Sequence, residues 1–122
     1  MANPEHVEIV LQGVEAIVEW QACHPNVPLD LSYANFHGID LSLSQLDEVN
    51  LRSANLTEAN LTGARLIGAN LESAVLKNAD LTDADLRECN LKRADLSGAT
   101  LRWTNLDGAN LDGANLIGSI RS

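Results

Sequence analysis

The sequence predicts an all-β solenoid capped at its N-terminus by an α-helix. Two observations carry this. From Leu29 to Ser119 the chain repeats every five residues, with an apolar centre at every fifth position from Leu31 to Leu116. Before that, residues 3 to 23 lack the beat and space their apolar residues helically. A regular repeat fixes architecture before any single residue does.

The N-terminal element comes first. Asn3-Pro4 reads as an N-cap followed by proline at the first helical position, with Glu5 and Glu8 favourably placed in the first turn. Val7, Val10, Leu11, Val14, Ile17 and Val18 follow helical spacing. Pro25 disfavours helix at His24, which ends the element. The expectation is one amphipathic helix of about five turns over residues 3 to 24, with residues 1–28 forming a capping helix and linker. Its role is to cover the first turn of the solenoid, because the open end of a stacked repeat exposes core side chains and unpaired backbone. Leu29, Ile39 and Val49 are larger than the Ala that later units use in the same slot, and suit packing under a helix.

Residues 29–122 form the repeat domain. Each unit reads small–polar–Leu–x–x. The centres are Leu31, Phe36, Leu41, Leu46, Leu51, Leu56, Leu61, Leu66, Leu71, Leu76, Leu81, Leu86, Leu91, Leu96, Leu101, Leu106, Leu111 and Leu116. A five-residue step in a helix rotates by about 140° net, which would spiral the leucines over every face. A strand alternates inward and outward, so small-in, polar-out, Leu-in accounts for three residues. The two polar residues that follow demand a corner. Seven of the eight glycines occupy the slot two beyond the centre, where a type II turn needs positive φ. These leucines and their small neighbours are the structural core.

Ala54-Asn55-Leu56, Ala79-Asp80-Leu81 and Ala114-Asn115-Leu116 give the chain a clear resemblance to the pentapeptide-repeat family, whose consensus is A(D/N)LXX. The resemblance covers about three quarters of the chain. It implies a right-handed quadrilateral parallel β-helix, twenty residues per coil and about 4.5 coils here. Residues twenty apart should then stack about 4.8 Å apart. Arg52, Glu72, Lys92 and Asp112 alternate in charge down one such column, and Asn50, Asn70, Asn90 and Asn110 read as an amide ladder down another. Both columns support the square.

Composition narrows function further. Net charge is −9, which disfavours direct binding to nucleic acid or anionic membrane. The first twenty residues hold four glutamates and no Lys or Arg, so no secretory leader is expected, and no apolar run reaches the roughly 18 residues of a membrane span. The expected location is cytoplasmic. Cys23 and Cys89 form no ligand pattern, and Cys89 reads as a buried thiol in an alanine slot. Asp80, Asp83 and Asp85 resemble part of a calcium loop, but Arg87 stands at the third ligand position. The sequons at Asn55 and Asn60 arise from the repeat. His6, His24 and His37 read as surface or packing residues. No catalytic, cofactor or metal residues are assigned, because a rod filled with leucine offers no cleft where groups converge.

The candidate contact surface is Trp103, in a slot where polar residues or glycine prevail, with Ile117 and Ile120 nearby in sequence at the open end. Trp20 is expected to pack cap against coil. No cap is expected at the C-terminal coil, where an open edge invites a homodimer. The leading functional reading is a non-enzymatic scaffold or interaction rod with an unidentified protein partner. The alternative comes from the resemblance, whose quinolone-resistance branch uses acidic rods as DNA mimics that inhibit type II topoisomerase (gyrase). Charge placement argues against it: the cap carries −4, and the four faces 0, −1, −1 and −3. The most acidic face, with Asp47, Glu48, Asp85, Glu88 and Asp107, is interrupted by Arg65 and Arg87. About 4.5 coils span about 22 Å, or six to seven base pairs at roughly 3.4 Å each. A period of five also excludes the hexapeptide-helix acyltransferases.

Overall fold

A computed structural model describes residues 2–121. The single helix expected at the N-terminus is two: α1 spans Pro4–Leu11 and α2 spans Val14–Cys23. Asn3 caps α1 by accepting the Glu5 N–H at 3.0 Å, with Pro4 at the first turn. The break falls at Gly13, whose φ of 106° no helix accommodates and few L side chains adopt. The turn re-aims the second half. Val10 and Ile17 both bury against the coil, while Leu11 and Val18 are left exposed. In one continuous helix Val10 and Ile17, seven residues apart, would also share a face, with Leu11 and Val18 about 100° round from it.

From Asp30 onward the chain is held by parallel bridges between residues twenty apart, from Asp30–Asn50 to Thr100–Ile120. Five-residue units and a twenty-residue coil give four faces. The first face holds centres 31, 51, 71, 91 and 111; the second 36, 56, 76, 96 and 116. The third holds 41, 61, 81 and 101, and the fourth 46, 66, 86 and 106. Each rung repeats one pattern. The Leu31 N–H donates to the Asn50 carbonyl at 2.7 Å, the Asn50 N–H to the Leu29 carbonyl at 2.9 Å, and the Tyr33 N–H to the Arg52 carbonyl at 2.8 Å. The backbone is thereby satisfied between coils.

Corners close by turns such as Ala54 N–H to Leu51 carbonyl, 3.0 Å. All eighteen corner residues from Tyr33 to Gly118 have positive φ, and the residues before them do not, which makes each a type II turn. Only seven are glycine. The other eleven, Leu43 and Trp103 among them, hold a conformation that costs an L residue about 1–2 kcal/mol. The inter-coil bonds on both sides of each corner and the buried leucines they connect impose it.

The Asn or Asp before each centre does more than face water. Its side-chain oxygen accepts the N–H two residues on: Asn70 from Glu72 at 3.0 Å, Asp80 from Thr82 at 3.0 Å, Asn110 from Asp112 at 3.0 Å. That N–H opens the turn and would otherwise lack a protein partner. The amide ladder is incomplete. Asn90 reaches Asn70 at 3.5 Å, and Asn50 reaches Asp30 at 3.4 Å, while Asn50–Asn70 and Asn90–Asn110 pair only through backbone. In the charged column Arg52 meets Glu72 at 2.8 Å, but the second cation on Glu72 is Arg93, at 3.1 Å, in place of Lys92.

Every centre from Leu31 to Leu101 is at most 3% exposed, and the small slots between them fill the remaining space. Each buried leucine contributes about 1.5–3 kcal/mol. Val10 and Ile17 belong to the same cluster, and Trp20 packs against it. Cys89 donates its thiol to the Leu66 carbonyl at 2.8 Å and Thr104 its hydroxyl to the Leu81 carbonyl at 2.7 Å. Ser44, in the first coil, has no such carbonyl beneath it, and its buried hydroxyl finds no partner among the described residues.

Candidate interaction surfaces

The exposed apolar side chains are few. Trp103 is 77% exposed, Ile117 79% and Ile120 44%. Trp103 stands at the corner between the third and fourth faces, so it does not lie flat along the rod. Ile120 bridges Thr100 on the third face, near that corner, whereas Ile117 belongs to the second face. The three do not share one plane. Leu43 occupies the same corner as Trp103 three coils below and is also exposed. The sequence carried its signal, an apolar residue in a polar-or-glycine slot, as plainly as for Trp103. A Cβ added at Gly63 would meet the Leu43 Cδ2 at 2.7 Å, so Leu43 lies over the glycine above it.

In the last described coil Leu106, Ala109, Leu111 and Leu116 are only partly buried. Among the described residues, the N–H groups of Leu106, Leu111 and Leu116 have no backbone partner.

On the acidic fourth face two of the five carboxylates are paired with arginines of that face. Asp47 holds Arg65 at 2.8 Å, and Asp85 holds Arg87 at 2.8 Å with a second contact from the same guanidinium at 2.9 Å. Arg87 keeps the Asp85 carboxyl below the ordinary carboxylate range. Asp80 is held low by the Thr82 hydroxyl, at 2.6 Å, and Asp95 by Ser97 in the same way. Burial pushes the Cys89 thiol up to about 12, which leaves it protonated and inert. Among the described residues no three His, Cys, Asp or Glu side chains gather as metal ligands.

The cap meets the coil through His6. Its Nδ1 accepts the Asp30 N–H at 2.9 Å, and the Asn3 N–H donates to the Asp30 carbonyl at 3.1 Å. Neutral His6 therefore carries its proton on Nε2. The Trp20 ring sits between His6, edge-on at 4.8 Å, and His24, stacked at 4.4 Å. The His6 link had no sequence signal. His37 pairs with Glu58 at 3.3 Å on the surface.

One concavity exists beside the cap. A cavity of about 360 Å³ lies between the segment leaving α2 and the first coil, lined by Gln21, His24, Val27, Gln45, Glu48 and Val49 among others. Gln21 Nε2 crosses its end to the Gln45 carbonyl at 2.7 Å. No helix among the described residues is long and apolar enough to cross a membrane.

Comparison with known proteins follows this geometry. The family profile described as Pentapeptide repeats matches residues 30–63, 54–93 and 94–120, in eight copies. Among solved structures, a pentapeptide repeat protein from the Arabidopsis thaliana thylakoid lumen is 34% identical with a TM-score of 0.68, over 70% of this chain and 59% of its own. Rfr23, from the cyanobacterium Cyanothece 51142, is 36% identical with a TM-score of 0.62, over 79% of this chain and 62% of its own. This chain thus aligns with only about three fifths of each. QnrB1, a plasmid-mediated fluoroquinolone resistance protein, reaches 21% identity and a TM-score of 0.41 over 75% and 59% of the two chains, too little to bear on function. No curated protein matches. With the repeat matched from residue 30 to residue 120 and the four-sided coil beneath it, the chain belongs to the pentapeptide-repeat family.

Proposed function

We propose that this chain is a non-enzymatic, rigid protein-binding rod of right-handed coils, with an unidentified protein partner. The observation that carries the reading is where side chains are spent. The interior is filled by leucine and alanine, while Trp103, Leu43 and Ile117 stand exposed on the outside of the rod. Asp47 and Asp85 of the fourth face are tied to Arg65 and Arg87 of the same face. Such a surface suits contact with a partner better than acid–base chemistry, which wants convergent groups in a desolvated cleft.

The reading includes an end-to-end homodimer through Leu106, Leu111 and Leu116, a cytoplasmic location, and no direct binding to nucleic acid or membrane. Sedimentation of the purified chain tests the dimer. The alternative is a DNA-mimic inhibitor of gyrase. It is the weaker reading, because about 22 Å of rod, its most acidic face interrupted by Arg65 and Arg87, offers neither the length nor the continuous charge of a duplex. Affinity capture from a native lysate, with mass spectrometry of what binds, tests the whole. A stoichiometric protein supports the binding rod, and a topoisomerase subunit would favour the mimic. Nothing bound in gentle buffer counts against both.

A further inference from the structure

We propose that the groove between the α2-to-coil segment and the fourth face of the first coil seats a lysine- or arginine-bearing segment of a protein partner. This rests on the binding-rod reading and names where and what it binds.

Charge is divided unevenly along the chain. Residues 1 to 50 hold eight Asp or Glu and no Lys or Arg, a net −8, while the remaining residues hold nine acids and eight bases, a net −1. The acidity of the protein therefore belongs to the cap and first coil, and the concavity of about 360 Å³ lies between those two elements. Of the two carboxylates lining it, Asp47 is engaged by Arg65 of the next coil. Glu48 is exposed, makes no ion pair among the described residues, and is the free anion at the rim.

The backbone adds to this. In each later coil a polar-slot residue gives its N–H and its carbonyl to the coil below, and the residue two beyond gives a second carbonyl, as Asn50 and Arg52 do. The lower edge of a coil thus offers two acceptors for each donor. At the first coil the cap satisfies Asp30 fully and the Gln45 carbonyl through Gln21. Of the residues lining the groove, Asp47 has a carbonyl, and Gln45 an N–H, with no backbone partner among the described residues. An incoming extended segment can pair with both.

His24 reinforces the preference. Its Nδ1 lies 2.9 Å from the Trp20 carbonyl, which can only accept, so Nδ1 carries the proton and neutral Nε2 is left as an acceptor. Exposed Val27 and buried Leu29 and Val49 supply apolar lining for the methylene stem of a lysine or arginine. Acceptors at the rim over an apolar lining suit a long cationic side chain.

The test is panning of a displayed random peptide library on the immobilised full chain, with a Glu48→Lys chain as counter-target. That substitution is tolerable in the fold, since Glu48 already holds the corner conformation and Arg93 holds the same slot elsewhere. Matching melts of the two chains establish this directly. Enriched peptides carrying Lys or Arg, whose affinity drops roughly tenfold on the variant and weakens with salt, are expected. Enriched peptides without basic residues, or ones indifferent to Glu48→Lys, overturn the groove while leaving the binding rod standing. No enrichment at all counts against both readings.

Discussion

The Asp47 carboxylate accepts, at 3.0 Å, the Ile67 N–H of the coil above it. At most units that N–H is taken by an Asn or Asp two residues earlier, but here the slot holds Arg65, which has no acceptor. Asp47 supplies the missing oxygen and binds the Arg65 Nε at 2.8 Å with its other oxygen. One carboxylate repairs the departure from the repeat and neutralises the residue that caused it. Asp47→Ala should cost about 1–2 kcal/mol by orphaning a half-buried N–H. Asp47→Asn, which keeps an acceptor, should cost less. Denaturant melts of the pair check the order; equal losses would mean the N–H bond contributes nothing.

His6→Ala removes the acceptor of the Asp30 N–H at the seam between cap and coil. The expected loss is about 1–3 kcal/mol, with faster amide exchange concentrated in α1 and the first coil. His6→Asn should recover part of it. Exchange that accelerates evenly along the rod would place the effect elsewhere.

Corner residues separate structure from surface. Trp103→Gly relieves about 1–2 kcal/mol of left-handed strain but gives back roughly 0.5–1 kcal/mol in unfolded-chain entropy. Trp103 is too exposed to lose much packing, so stability should change by less than about 1 kcal/mol. Gly98→Ala is the opposite case: φ is +69° and the new Cβ would lie 2.1 Å from the Asn78 Oδ1. It should destabilise by about 1–2 kcal/mol. A large loss for Trp103→Gly would show that the tryptophan packs in solution.

Leu81→Asp places a carboxylate in the middle of the rod, at a position with 0% exposure. No charge partner is present among its stacked leucines, so the variant should fail to fold. A cooperative melt close to wild type would contradict the inward assignment.

Asp80 is held below its ordinary 3.8 by the Thr82 hydroxyl and N–H. A depressed carboxyl stabilises the fold fully above the unfolded value and loses that contribution as pH falls through the folded one. The stability difference between wild type and Asp80→Asn should therefore stay constant above about pH 5 and shift only at more acidic pH. Thermal melts across pH 3 to 7 read it, and a difference that moves between pH 5 and 7 would refute the assignment.

The repeat was legible because the centres from Leu31 to Leu101 are buried the same way, so fourteen leucines and Phe36 report one environment. The Asn or Asp before them was read as merely polar, since its bond to the N–H two residues on depends on a turn that composition does not display. The helix break at Gly13 was missed because Val7, Val10, Leu11, Val14, Ile17 and Val18 fit one unbroken stripe. The groove and His6 lie between segments remote in sequence, Gln21 against Gln45 and His6 against Asp30, where no periodicity reaches.

The most direct test of this account is a saturation scan of residues 30 to 101 read out by protease resistance. The account predicts a five-residue rhythm: intolerance at every centre, restriction to small residues two before it, and preference for Asn or Asp just before it. The two residues after each centre should tolerate most changes, with glycine favoured at the second. Sensitivity without that rhythm, or centres that accept charge, would contradict the four-sided coil on which every other inference depends.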